Sequence, residues 1–327
     1  MSMSVDSNQN TRIIRLGLII AWSLLIIGMT VFVMYQVVAN YVITYGSKGE
    51  LYDQGVELLD KGQYSDALAK AEESIKAKEN QAESYLLRAN ALYALDRQSE
   101  AQADLQQVAK VKPQLAFDLH RGAYRLIQDD GAPKDVVRLE SLAIAIRPDV
   151  PKFYVNRSYA YSDLNQNQKA IDDCTFALSL KPVQEDVATS LLQNRASAKN
   201  GAHLYKEALQ DSELALQKNK CANDDHFRIL NGKVDALIGL KRFTEAIATC
   251  DQAIEQIDGD DEKQWLIDFY ELKIAAMQGR HDKVLNDSEQ ITKLKVEYER
   301  LKSELAAEEK DTKEQEAQEK DEQEKED

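Results

Sequence analysis

Residues 153–182 read FYVNRSYAYSDLNQNQKAIDDCTFALSLKP. The stretch has no glycine-rich phosphate loop, no metal-ligand spacing and no nucleophile–base pair. Its apolar residues recur at helical spacing, Ala170 and Ala177 stand seven apart on one helix face, and Pro182 closes it. The small pair also recurs along the chain. Its first members are Ala67, Ala101, Val136, Ala170, Ala208 and Ala246; its second members are Ser74, Val108, Ala143, Ala177, Ala215 and Ala253. The steps are 34, 35, 34, 38 and 38 in both columns. A period kept in two columns at once marks a repeat architecture.

Each unit reads as two helices of about 14 residues joined by a short turn. Small residues let two antiparallel helices approach closely. An aromatic often stands three places before the first small residue, as at Tyr64, Tyr205 and Phe243, and fills the gap beside it. Pro113, Pro148 and Pro182 end second helices. Neither helix of a unit buries its apolar face alone, so stacked units share one continuous core.

These residues resemble the tetratricopeptide repeat, a helix–turn–helix family with a 34-residue unit. In 153–182 the matching residues are Tyr154, Ser158, Tyr161, Ala170, Ala177 and Pro182. The resemblance covers six units over 48–258 and continues into a degenerate seventh at 264–295. It departs in the third unit, where DDGAPKDVV carries an extra residue and puts Val136 in the alanine column. The 38-residue steps predict helices or connections longer by about a turn, with NKCANDD as an insertion before the sixth unit. The resemblance implies an all-α, right-handed solenoid whose first helices line a concave groove.

Composition agrees with an all-helical chain. Of 327 residues, 43% are apolar, with only 13 Gly and 5 Pro. The net charge of −15 disfavours a phosphate backbone as partner, so no nucleic acid is expected. Part of that charge lies in residues 296–327, read as a charged helix and an acidic disordered tail. Ile291, Leu294, Tyr298, Leu301 and Leu305 fit a capping helix or a short coiled-coil seam.

At the other end, Leu16–Ala39 is free of charge and long enough to span a bilayer, with Arg12 and Arg15 before it. The expectation is a single-pass membrane protein: a cytoplasmic tail at 1–15, a transmembrane helix at 16–39 in contact with lipid, and an extracytoplasmic repeat domain facing a bacterial periplasm. A signal peptide cleaved after Val37-Val38-Ala39, giving a secreted protein, is the alternative.

Chemistry-bearing motifs are lacking. His120, His203, His226 and His281 are scattered, and Cys174, Cys221 and Cys250 form no metal or disulfide framework. IDGDDEK lacks the glycine and terminal glutamate of a calcium loop. The chain is therefore read as a non-enzyme with no cofactor, no metal and no small-molecule substrate. What remains is a scaffold that binds partner proteins or peptides in its groove; the alternative is a membrane receptor for protein import or chaperone-bound cargo. The repeat register puts Tyr93, Arg121, Arg125, Val155, Asn156, Tyr159, Asn194 and Asn231 in the groove. Aromatic and guanidinium groups together suit an extended peptide, including one with a carboxylate. Of the five positions of the family's chaperone-tail clamp only Asn156 matches, so no such clamp is expected.

Overall fold

The computed structural model describes residues 49–218, 224–257, 262–280, 289–307 and 310. Among these, regular structure is entirely α-helical. The helices are α1 (Glu50–Asp60), α2 (Tyr64–Lys76), α3 (Gln81–Ala94), α4 (Gln98–Val111), α5 (Leu115–Gln128), α6 (Pro133–Ile146), α7 (Pro151–Asp163), α8 (Asn167–Ser179), α9 (Glu185–Gly201), α10 (Tyr205–Lys218), α11 (Asp224–Gly239), α12 (Phe243–Gln256) and α13 (Lys263–Gly279). A further helical stretch covers 289–307, with Leu301 buried and Val296 exposed. The chain divides into two compact units, one up to Asp104 and one from Leu105 onward.

In the first unit α1, α2 and α3 pack in sequence, and α1 also meets α3. In the second, each helix from α5 to α12 packs on its successor, and the first helices α5, α7, α9, α11 and α13 also touch one another in order. Within the second unit the first helices therefore form one row, with the second helices packed along it.

The small columns explain how close these rows come. All twelve positions are 0–2% exposed. A third column, on the first helices, has the same period: Gly55, Ala89, Ala123, Ser158, Ala196 and Val234, all buried. At Gly55 a Cβ would stand 2.6 Å from Cδ2 of Leu87, so any side chain there must displace the Leu87 side chain at the α1–α3 contact. Adding volume at such positions costs about 1–3 kcal/mol by overpacking.

The turns within units share one geometry. Gly62, Asp96, Asp130, Asn165, His203 and Lys241 all take positive φ. The residue after each sends its N–H back to the carbonyl of Leu58, Leu92, Leu126, Tyr161, Lys199 or Leu237, at 2.7–2.9 Å. This six-to-one bond with a left-handed residue ends a helix and satisfies carbonyls that its last turn leaves open. Proline begins α6 and α7, where its missing N–H has no intrahelical role.

Two members of the aromatic column, Tyr205 and Phe243, also pack between units. A Cβ on Gly239, at the end of α11, would lie 2.4 Å from the Tyr205 ring; one on Gly279, at the end of α13, would lie 2.5 Å from the Phe243 ring. Asn167 stands against Gly201 in the same way. The first residues of α8, α10 and α12 thus pack on the glycines that end the next first helices. The 38-residue steps are also accounted for: α9 and α13 have 17 residues and α11 has 16, against 13 in α7. The added turn lies in the first helices. The NKCANDD segment falls largely outside the described residues.

The membrane placement expected from the sequence is corrected. Among the described residues no helix is long and apolar enough to cross a membrane. The 17-residue helices rise roughly 25 Å, short of a hydrocarbon core of about 30 Å. The longer stretch 289–307 carries Lys293, Lys295, Glu297, Glu299 and Arg300. Neither a membrane-spanning helix nor a bilayer contact is supported by any described element. Residues 16–39, and the cleavage pattern at 37–39, lie outside the described residues.

Candidate functional site

Three arginine–aspartate pairs tie first helices to second helices. Arg88 makes two bonds to Asp104, of 2.6 and 2.7 Å; Arg157 makes two to Asp173, both 2.7 Å; Arg195 makes two to Asp211, both 2.8 Å. Each pair spans 16 residues, from the middle of one helix to the middle of the next. Arg157 also donates to Ser141 Oγ at 3.1 Å and lies over the rings of Tyr154 and Tyr161. Lys199 adds a second cation to Asp211 at 2.6 Å. Paired and largely covered, these groups brace the repeats.

A second polar cluster joins α5, α6 and α7. Glu140 is fully buried, and its Oε1 lies 2.8 Å from both His120 Nδ1 and Asn156 Nδ2. Its Oε2 is buried with no hydrogen-bond partner. Burial raises the Glu140 pKa; the His120 and Asn156 contacts pull against it. A carboxyl whose folded pKa exceeds its unfolded value holds an extra proton in the folded state between the two values. Its stabilising contribution is therefore complete below about 4.5 and is lost as pH rises through the raised value. Glu140→Gln keeps an acceptor for His120 and Asn156 and removes the buried charge. Its stability relative to the parent, from urea unfolding, is expected to improve from pH 5 to pH 7. An unchanged difference at the two pH values contradicts this assignment.

A cavity with several polar side chains on its wall lies on the row of first helices in the second unit. It encloses about 120 Å³ among α7, α9, α10 and α11. Tyr159 comes from α7; Gln193, Asn194, Ser197 and Asn200 from α9; Ser212 from α10; Arg228, Asn231, Gly232 and Asp235 from α11. An adjoining cleft of about 540 Å³ shares Ser197, Asn200 and Asp235 and extends over Ser162, Asn165, Tyr205 and Gly239. The Asn194 amide donates to the Val155 carbonyl at 2.9 Å and to Ser158 Oγ at 3.1 Å. Asn200 Nδ2 donates to the Gly232 carbonyl at 2.8 Å, tying α9 to α11. Asp235 meets solvent at the cavity, but the helices around it crowd out enough water that burial pushes its carboxyl up to about 6. Burial also raises the Tyr159 phenol, with Asp163 adding to the effect and Arg228 opposing it.

Of the residues expected in the groove, Tyr159, Asn194 and Asn231 come together here. Tyr159 is 43% exposed, a large aromatic face left open. Val155 is half-buried beside them, and its carbonyl serves Asn194. Asn156 lies instead in the Glu140 cluster, its amide already engaged. Arg121 and Arg125 are exposed on α5, with Arg121 paired to Asp118 on the same helix; neither lines the cavity. Tyr93 is half-buried on α3, in the first unit.

Asn200, Ser212, Arg228 and Glu140 were not anticipated. A signal for two of them was available. Ala71, Leu105, Glu140, Cys174, Ser212 and Cys250 form one more column of the repeat period, all buried. Glu140 and Ser212 are its strongly polar members. Burial pushes both Cys174 and Cys250 up to about 12, so they stay protonated and act as small core residues. Cys221 lies outside the described residues. Among the described residues no group of His, Cys, Asp and Glu is placed to hold a metal ion.

Helix pairs, a single turn geometry and small-residue columns define a stacked-helix repeat protein. Family models of the tetratricopeptide repeat match residues 52–118 and 151–184. Over these two stretches the chain carries tetratricopeptide repeats. No curated protein matches it. Solved structures of similar fold include a MamA RS-1 ArsTM double mutant, at 18% identity and TM-score 0.44, covering 57% of this chain and 94% of that one. A tetratricopeptide repeat protein from Parabacteroides merdae has 13% identity and TM-score 0.41, covering 78% and 97%. Yeast Tom70 has 16% identity and TM-score 0.42, covering 77% of this chain and 51% of its own.

Proposed function

We propose that the chain is a non-catalytic scaffold that binds an extended peptide segment of a partner protein on the first-helix row of its second unit. The observation that supports this is one cavity lined by three successive first helices, α7, α9 and α11, and continuous with a larger open cleft. Its side chains suit the ligand. Gln and Asn amides both donate and accept, matching the N–H and C=O groups that an extended peptide leaves unpaired. Tyr159 offers an exposed ring for an apolar or cationic side chain. Nothing in this arrangement resembles a nucleophile with its base, which favours binding over catalysis.

The test is a random peptide library displayed on phage and panned against the full-length protein. Retained peptides should lose binding at least about tenfold when Asn231→Ala and Tyr159→Ala are introduced together, a loss of roughly 1.4 kcal/mol or more. Peptides that bind parent and variant equally well place the ligand elsewhere.

A further inference from the structure

Two polar atoms at the cavity have no partner. Ser212 is only 1% exposed, and its Oγ is buried without a hydrogen bond. Asn200 Oδ1 is likewise buried and unpaired. Its orientation follows from the other half of the amide: Nδ2 donates to the Gly232 carbonyl, and a flipped amide would set two oxygens against each other. Oδ1 is thus an acceptor. Asp235, itself open to solvent, adds a carboxylate with which no described residue forms a hydrogen bond or ion pair. An unpaired buried polar group is costly, and native proteins leave few of them.

The three groups share a chemical demand. Asp235 and Asn200 Oδ1 accept only, and the Ser212 hydroxyl can accept. The one cation on the lining, Arg228, is already drawn toward Asp225, 3.8 Å away. An ammonium group brings three donors and no acceptor. A volume of about 120 Å³ equals the share of roughly four waters in the liquid, enough for the end of an aliphatic amine.

We propose that this cavity is a subsite for the primary ammonium of a lysine side chain carried by the bound peptide. The subsite rests on the reading of the first-helix row as a peptide site. The lysine stem enters from the wider cleft, past Ser197, while the peptide main chain stays outside.

The test uses a peptide library in which one position is lysine, Nε-acetyl-lysine, arginine or norleucine and the rest are random, captured on the full-length protein. Lysine peptides should be retained about tenfold better than acetyl-lysine or norleucine peptides, the scale of one hydrogen bond to a charged group. Asp235→Asn should remove that preference while peptides of other composition are still captured. Ser212→Ala, which deletes an unpaired hydroxyl and leaves folding unharmed, should reduce the preference in the same direction. Peptide capture with no preference for lysine, or a preference that survives both variants, overturns the subsite alone. Capture of no peptide by the folded parent overturns the peptide-site reading together with it. Retention of arginine as strong as lysine would show that charge, not the ammonium fit, is selected, and would also overturn the assignment.

Discussion

Phe153→Ala is expected to lower the unfolding free energy by about 3–5 kcal/mol. Phe153 is fully buried on α7. Its ring stands edge-on to Phe117 at 5.4 Å and beside His120 at 5.1 Å, joining α7 to α5 of the preceding unit. Truncation removes the transfer free energy of the ring and leaves a cavity between two repeats. Because neighbouring repeats supply each other's core, the loss should spread along the second unit as lower cooperativity. Urea unfolding followed by circular dichroism measures it. Phe176→Ala is the control: that ring is 48% exposed on α8. Equal losses for the two variants would mean that α5 and α7 do not pack as described.

Asp173→Ala is expected to cost a similar amount, about 3–5 kcal/mol. The cost does not come from a lost attraction alone. Arg157 is mostly covered, with 16% of its side chain exposed, and Asp173 supplies both acceptors for its fork. Without Asp173 a guanidinium remains between α7 and α8 with the Ser141 Oγ bond left to it. The double change Arg157→Met/Asp173→Leu removes the charge with its partner and should recover most of the stability, since a buried pair gains little over apolar groups that fill the same space. Chemical denaturation of the three proteins separates these effects. An Asp173→Ala variant as stable as the parent would show that solvent reaches Arg157 freely.

The packing was the most legible part of this chain. A small residue repeated at a constant period has few causes other than close helix contact, and every position in the two columns proved buried. The longer steps were legible as length but not as location; only the structure assigns the added turn to the first helices. Tyr205 and Phe243 were seen as a column, but their targets, Gly239 and Gly279, lie one unit further on. The arginine–aspartate pairs escaped because an offset of 16 joins two helices and has no signature within either. The site was legible only in part. Tyr159, Asn194 and Asn231 follow from the helical register, which says which residues share a face. Asn156 shares that face but turns to Glu140, because a buried carboxylate attracts the nearest donor. Ser212 lies on a second helix, outside any register drawn for first helices, yet it interrupts a column of core residues.

The central claim is that ligand binds the first-helix row of the second unit, and hydroxyl-radical footprinting of the full-length protein tests it most directly. Tyr159, on the first-helix row, and Phe176, on the second-helix row, begin almost equally exposed, at 43% and 48%. With a library-selected peptide at saturation, oxidation of Tyr159 should slow several-fold while Phe176 reacts as before. Slowing at Phe176 with Tyr159 unchanged would contradict the account.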